Sequence, residues 1–197
     1  MRIAIVPLGV GNLGSLTASF RRLGHQVAVW DSGGAVAGAD WVVLPGVGSL
    51  TGVTESLQRR DLVEPLRQWR RAGAPVLGIC LGMQLWFGSG EEGGQGMSWI
   101  AGTIPRLDAD IIPHMGWNDL EVDAGAPRWL LAYHGQCFYF VHSYRVQPAD
   151  RGTIKARTDY GRGKFPSVIA ADRLIGMQFH PELSGDVGES LLQDVLR

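Results

Sequence analysis

A cysteine with a glycine two residues away on either side lies near the middle of the chain, in Gly78-Ile79-Cys80-Leu81-Gly82. The apolar run 76–79 predicts a short buried strand, and the apolar spacing that follows predicts a helix. A strand that turns sharply into a helix, with a nucleophile at the corner, is a nucleophile elbow. Free N–H groups at a helix start favour the thiolate form of cysteine. Cys80 is therefore the candidate nucleophile.

A cysteine nucleophile needs a base, and His180 is the strongest candidate among the five histidines. A strand is predicted to end there, and the stiff proline that follows allows Glu182 to fold back toward the imidazole. Two histidines fall in predicted turns or loops, while His114 and His142 have no carboxylate nearby in the sequence. In a Cys–His–Glu set the imidazole moves protons and the carboxylate fixes its tautomer. We predict that Cys80, His180 and Glu182 form such a triad.

The reaction also needs donors for a developing oxyanion. Cys80 and His180 both follow predicted strands, so both can reach the same edge of a parallel sheet. A third predicted strand ends before Gly46-Val47-Gly48, where a turn exposes backbone N–H groups. We predict that the N–H groups of Val47 and Leu81 form the oxyanion hole.

The elements that must position these residues alternate between strands and helices. Strands are predicted at residues 3–6, 27–30, 41–44 and 76–79, which is typical of an α/β fold with a mostly parallel central sheet and flanking helices. From residue 102 onward, short strands and turns predict a smaller antiparallel portion. We expect one domain over residues 1–197.

Two local predictions concern its details. Asp61 and Glu64 have the spacing of a capping box, which predicts a helix start at Asp61. Cys137 stands among three aromatic residues, so we expect its thiol to be packed in the core.

Composition excludes several classes of protein. The net charge of −1 over 197 residues provides no basic field for nucleic acid or an anionic membrane. No apolar run is long enough to cross a bilayer, and the first residues lack a signal-peptide layout. The two cysteines make no disulfide framework, and no spacing typical of metal ligands occurs. These features indicate a cytoplasmic protein without a metal or cofactor.

The motifs together resemble a known family, the triad-type (class I) glutamine amidotransferases. Three segments occur in the family's order over nearly the whole chain: Pro45-Gly46-Val47-Gly48, Gly78-Ile79-Cys80-Leu81-Gly82-Met83-Gln84 and Gln178-Phe179-His180-Pro181-Glu182. Other segments resemble the glutaminase subunits of imidazole glycerol phosphate synthases, from histidine biosynthesis. These are Gly9-x-Gly11-Asn12, Pro113-His114-Met115-Gly116-Trp117-Asn118, Phe140-Val141-His142-Ser143-Tyr144 and Tyr160-Gly161.

The resemblance implies a reaction and a partner. Cys80 would attack the side-chain amide of L-glutamine, and ammonia would pass to a cyclase subunit, a (β/α)₈ barrel that forms a heterodimer with this chain. The cyclase would use it to convert a phosphoribulosyl-formimino carboxamide nucleotide to imidazole glycerol phosphate and an aminoimidazole carboxamide ribotide. By similarity, Asn12 and Trp117 would lie near the interface. The residues expected to hold glutamine are Gly46, Gln84, Glu92, Ser143 and Tyr144.

One departure from the family pattern affects the partner. Leu183 follows Glu182 where the family usually has a lysine near the subunit boundary. Two alternatives therefore stay open: a glutaminase subunit of another synthase, of the anthranilate or aminodeoxychorismate type, or a non-catalytic regulatory paralogue. Because idle hydrolysis would waste glutamine, we expect the oxyanion hole to be completed only when the partner and its ligand bind.

Overall fold

The structure is a computed structural model that describes residues 1–9, 13–33, 36 and 38–197. Its α-helices are α1 Leu13–Arg22, α2 Leu50–Arg59, α3 Val63–Arg71, α4 Leu81–Gln84, α5 Arg128–Leu131 and α6 Gly185–Val195, with 3₁₀ turns at Arg151–Thr153 and Pro181–Leu183. Its strands are β1 Arg2–Ile5, β2 Gln26–Val29, β3 Trp41–Leu44, β4 Val76–Ile79, β5 Ser89–Gly90, β6 Gly102–Ile104, β7 His114–Asp119, β8 Glu121–Val122, β9 Cys137–His142, β10 Gln147–Pro148, β11 Ile154–Tyr160, β12 Gly163–Ala171 and β13 Leu174–Met177.

A mixed sheet organises the described part of the chain, in the order β2-β1-β3-β4-β13-β12-β11-β8. The strands from β2 to β13 in this order are parallel, and β12, β11 and β8 extend the sheet antiparallel. The predicted α/β fold with a mostly parallel centre and a smaller antiparallel portion is confirmed. β4 lies at the centre and all four of its residues are buried, as expected for a strand covered on both faces.

Alternate side chains of the central strands enter two separate cores. Val42 and Leu44 of β3 pack on one face with α2 and α3, whereas Val43 packs on the other face with α1, α6 and β9. This alternation follows from the two-residue period of a strand. Both layers of helices hold the carboxyl ends of β3, β4 and β13 in place. No helix in the described part of the chain combines the length and apolar character needed to cross a membrane.

Two smaller sheets stand beside the main one. β7 pairs antiparallel with β9, and β10, β6 and β5 form the other sheet. A backbone hydrogen bond from His180 N–H to the Tyr139 carbonyl (2.9 Å) joins the β7–β9 pair to the end of β13. The 114–119 strand was not predicted from the sequence.

Both local predictions, for Asp61 and for Cys137, are wrong. Asp61 does not cap α3: it adopts a positive φ of 54°, and the helix begins at Val63 with no side-chain cap. The thiol of Cys137 is exposed, and it donates to Asp119 Oδ1 at 2.7 Å. That hydrogen bond is the main cause that raises the pKa of Cys137 above its ordinary value.

The turn after β4 requires glycine at position 82. A Cβ at this position would overlap the Leu44 carbonyl group of β3. We expect Gly82→Ala to lower the free energy of unfolding by about 3 kcal/mol or more, because a buried backbone must move. Chemical denaturation measures this change.

Gly14→Ala is the matched control, since Gly14 lies in α1 and a Cβ there meets nothing within 4 Å. This variant should be as stable as the wild type or more stable by up to about 1 kcal/mol. Equal effects of the two substitutions would contradict the steric argument.

Candidate active site

Cys80 occupies the corner between β4 and α4. Its backbone has φ 52° and ψ −110°, a strained conformation for a residue with a side chain. Gly78 permits the close approach of α4, since a Cβ there would lie 2.8 Å from the backbone nitrogen of Met83. Cys80 is only 5% exposed. The local geometry is that of an elbow that presents one side chain at the end of a central strand.

His180 and Glu182 follow β13, the parallel neighbour of β4. His180 Nδ1 lies 2.9 Å from Glu182 Oε1, and each side chain is 3% exposed. Ser184 Oγ donates to the His180 carbonyl oxygen (2.7 Å) and accepts from Tyr139 N–H (3.0 Å). The backbone of His180 is therefore held to β9 from both sides.

The protonation of His180 is set by its neighbours. Burial lowers the pKa of His180, but the Cys80 sulfur and then the Glu182 carboxylate raise it by more, and the resulting pKa is about 10 against an ordinary 6.5. His180 Nε2 is buried, and the Cys80 sulfur, first as a hydrogen-bond partner and then as a nearby charge, contributes most to the raised pKa. The ring is thus protonated at neutral pH.

A cavity of about 220 Å³ opens beside the sulfur. Its wall contains seven of the residues named from the sequence: Val47, Cys80, Leu81, Gln84, Glu92, Ser143 and Tyr144. Gly48, Pro113, Val141 and His142 complete the lining. Gly46 is not part of this wall, but a Cβ on it would lie 3.0 Å from Leu81 Cβ, so it sits directly behind the elbow.

The two predicted oxyanion donors differ in their availability. The N–H of Leu81 donates to the Gly46 carbonyl oxygen at 3.4 Å, so it does not point freely at the cavity. Val47 lines the cavity.

Glu92 reaches the cavity from an acidic loop that is well anchored. Its Oε2 accepts a hydrogen bond from the N–H of Leu50 at the start of α2 (3.1 Å). This contact holds the side chain against the N-terminus of α2. Glu91, next to it, accepts from the N–H of Arg106 (3.1 Å). The loop thus presents a fixed negative charge to the cavity.

The residues expected at a partner interface lie elsewhere. Trp117 is 55% exposed on β7, with its ring 5.9 Å from that of Tyr139. Met115, two residues earlier on the same strand, is 62% exposed. Asn12 lies outside the described residues. Leu183 is half-buried in the 3₁₀ turn that carries Glu182.

The structure also brings together two histidines that sequence reasoning left without a role. His142 Nδ1 lies 2.8 Å from the Tyr144 carbonyl oxygen, so Nδ1 carries the proton. Its Nε2 lies 3.2 Å from His114 Nδ1, and His114 Nε2 lies 3.3 Å from Asn118 Oδ1. The ring of His114 is stacked between Tyr160 and Phe140. Both histidines sit in segments that the sequence had marked, but only pairing of β7 with β9 makes them neighbours.

Burial decides the charge of this pair. Burial lowers the pKa of His142 to about 3, opposed by the Tyr144 carbonyl and assisted by the charges of His114 and His180. Burial likewise lowers the pKa of His114, with partial compensation from Asn118. Among the described residues, no three His, Cys, Asp or Glu side chains are grouped as a metal site would require.

Comparison with known proteins shows the family of this chain. The model of the glutamine amidotransferase class-I family matches residues 10–196. The chain is 45% identical over 201 residues to imidazole glycerol phosphate synthase subunit HisH of Methanopyrus kandleri, covering 100% of this chain and 98% of that protein. It is 44% identical to the subunit of the same name from Symbiobacterium thermophilum, covering 97% and 91%.

Solved structures share the fold at low sequence identity. The PurLQS structure from Thermotoga maritima contains a chain with a TM-score of 0.78 and 16% identity, covering 99% of this chain and 97% of that one. A glutamine amidotransferase from the same organism has a TM-score of 0.72 and 14% identity, covering 100% and 96%. The chain belongs to the class-I glutamine amidotransferase family and, within it, to the imidazole glycerol phosphate synthase subunits HisH.

The neutral state of His142 should make the fold sensitive to acid. Between pH 6.5 and about 3 the unfolded chain binds a proton at this residue that the folded chain does not, so stability falls as pH falls. We expect His142→Asn to remove this dependence. The difference in unfolding free energy between wild type and variant should shrink by about 2 kcal/mol from pH 6.5 to pH 5.

Urea denaturation at a series of pH values measures this difference. At pH 8 and above the histidine is neutral in both states, so the curves there should run parallel and serve as the internal control. Parallel curves down to pH 5 would show that His142 is not held neutral by the fold.

Proposed function

We propose that this chain is the glutaminase subunit of an imidazole glycerol phosphate synthase and that residues 1–197 form one glutamine amidotransferase domain. The main support is the site itself. Cys80 lies at a strained elbow and lines a cavity, and the buried His180–Glu182 pair lies beside it. Relatives of 44–45% identity over nearly the whole chain are named as such subunits. This supports the synthase of histidine biosynthesis over one of the anthranilate type.

The chemistry follows from the protonation of the pair. The sulfur of Cys80 attacks the carboxamide carbon of glutamine, a C–S bond forms, and the carbonyl oxygen becomes an oxyanion. The imidazolium of His180 donates its proton to the departing nitrogen, so the C–N bond breaks and ammonia leaves. Water, deprotonated by His180, then attacks the thioester and glutamate is released. Glu182 keeps the Nδ1 proton in place throughout.

Recognition of glutamine rests on charge and hydrogen-bond direction. Glu92 has one oxygen engaged by Leu50 and serves as the counter-charge for the α-ammonium group. Gln84 Nε2 donates to the Tyr144 carbonyl oxygen (3.0 Å) and to Gln178 Oε1 (3.2 Å). Both protons of that amide are used, so Gln84 offers its carbonyl oxygen to a donor of the substrate. Gly46, Ser143 and Tyr144 are proposed to hold the remaining substrate groups.

The geometry of the proposed oxyanion hole predicts low activity for the isolated chain. Val47 and Leu81 would supply the N–H donors, but the Leu81 N–H is engaged with the Gly46 carbonyl. A shift of the 45–48 segment would free this donor. We propose that binding of the partner and its ligand favours the shifted state.

The proposed partner is a (β/α)₈-barrel cyclase that forms a heterodimer with this chain and receives the ammonia. Exposed apolar side chains of Met115 and Trp117 mark β7 as the docking side, because such groups rarely cluster on a free surface. Asn12 is proposed to lie at the same interface. Leu183 replaces a basic contact there, so part of the docking must come from apolar area.

Because the reaction needs Cys80 as a thiol, we propose a cytoplasmic location.

We expect the partner to activate glutamine hydrolysis by this chain. Glutamate release from glutamine should be slow for the chain alone and should rise at least about a hundredfold with the cyclase and its nucleotide ligand, the range of a strong allosteric coupling. Coupled detection of glutamate measures this. Full activity that ignores the cyclase would assign the chain to another synthase. No release under any condition, from folded protein with a reactive Cys80, would favour a regulatory subunit.

A substitution of Cys80 should separate glutamine hydrolysis from the synthesis that uses ammonia. Cys80→Ala should abolish glutamine-dependent synthesis, since the nucleophile is absent. Synthesis from added ammonia, and binding to the cyclase, should remain at wild-type levels. Cys137→Ser is the matched control and should retain both activities, because that thiol is exposed and lies outside the cavity. Loss of ammonia-dependent synthesis in the Cys80 variant would contradict the proposed division of labour.

A further inference from the structure

Gln178 is a buried polar side chain that the proposed reaction does not use. It follows β13 directly, two residues before His180, and its accessible surface is 0%. Its Nε2 lies 3.5 Å from Cys80 Sγ, and its Oε1 lies 3.2 Å from Gln84 Nε2. The side chain thus connects the candidate nucleophile to a residue of the cavity wall.

The direction of these hydrogen bonds is fixed by the Tyr144 carbonyl group. A carbonyl oxygen only accepts, so Gln84 must turn its Nε2 toward it. His142 Nδ1 donates to the same oxygen at 2.8 Å and keeps it in place. With Nε2 of Gln84 in this position, the second proton on Nε2 faces Gln178. Gln178 must therefore accept this hydrogen bond through Oε1. The N–H₂ end of Gln178 is thereby turned toward the sulfur.

The opposite orientation of Gln178 is unfavourable at both ends. Its N–H₂ group would face the N–H₂ group of Gln84, and its carbonyl oxygen would face the sulfur. Leaving buried donors unpaired costs about 1–3 kcal/mol each. An amide N–H aimed at a sulfur in a buried site stabilises negative charge on that sulfur.

We propose that Gln178 is a positioning residue for the nucleophile: its amide N–H holds and stabilises the Cys80 thiolate, and its orientation is set through Gln84 by the Tyr144 carbonyl. The same carbonyl belongs to the turn proposed to hold glutamine. Occupation of the cavity and orientation of the sulfur are therefore linked through two amide side chains. This role deepens the proposed glutaminase function, but its chemical readout does not depend on it.

The experiment compares Gln178→Met with the wild type, both carrying Cys137→Ser so that Cys80 is the only thiol. Met keeps the length of the side chain and removes the N–H donor. The rate of Cys80 alkylation by iodoacetamide at pH 8 should fall about tenfold to a hundredfold, the value of one hydrogen bond to a charged group. Gln178→Glu, which retains an acceptor for Gln84 but offers the sulfur no N–H, should show a similar loss.

Ser167→Ala is the matched control. Ser167 is fully buried on β12, accepts the backbone N–H of Gln178 through its carbonyl oxygen, and has a hydroxyl without a hydrogen-bond partner. Its substitution disturbs the same part of the core without touching the sulfur. Alkylation in this variant should match the wild type, and the melting temperatures of all variants show whether they remain folded.

Kinetics with the cyclase and its nucleotide ligand provide the second readout. The Gln178 variants should lose kcat by the same factor as alkylation, while KM for glutamine stays within about twofold. A raised KM with unchanged kcat and unchanged alkylation would assign Gln178 to shaping the cavity and would overturn the proposal. Unchanged alkylation in both folded variants would overturn it as well. An absence of turnover in the wild type would refute the proposed function but leave the alkylation test intact.

Discussion

The backbone corner at Cys80 is the constraint on which the rest of the structure depends. A residue with a side chain is held at positive φ, and α4 must start within contact distance of β3 and β4. Only glycine fits at 78 and 82, and only a strand buried on both faces can hold the corner against its strain. The two cores on either side of the sheet supply that rigidity.

The site also contains charged side chains that are buried. His180 and Glu182 are almost inaccessible to water, and the ring stays protonated because Cys80 and Glu182 outweigh the cost of burial. Burial holds His142, in the cavity wall, neutral. The two histidines therefore carry opposite protonation states, because Cys80 and Glu182 outweigh the effect of burial at His180.

The sequence predicted the centre of the fold better than its periphery. The strands at 41–44 and 76–79 are short apolar runs, and such runs are buried wherever they fall in a parallel sheet. Cys137 was misplaced because Phe138 and Phe140 alone face the core, and a strand turns every second side chain the other way. Asp61 has the spacing of a helix cap, but its positive φ closes the turn after α2 instead.

By itself the sequence determined the α/β class, and it predicted the candidate nucleophile, its candidate base and acid, and most of the residues of the cavity wall. These depend on local spacing: a glycine-flanked elbow, a histidine two residues before a glutamate, and strands that end on one sheet edge. Only the tertiary structure decided the hydrogen-bond directions at Gln84 and Gln178, the pairing of His114 with His142, and the engagement of the Leu81 N–H. Those contacts join residues 28 to 98 positions apart in the sequence. Spacing along the chain carries no information about them.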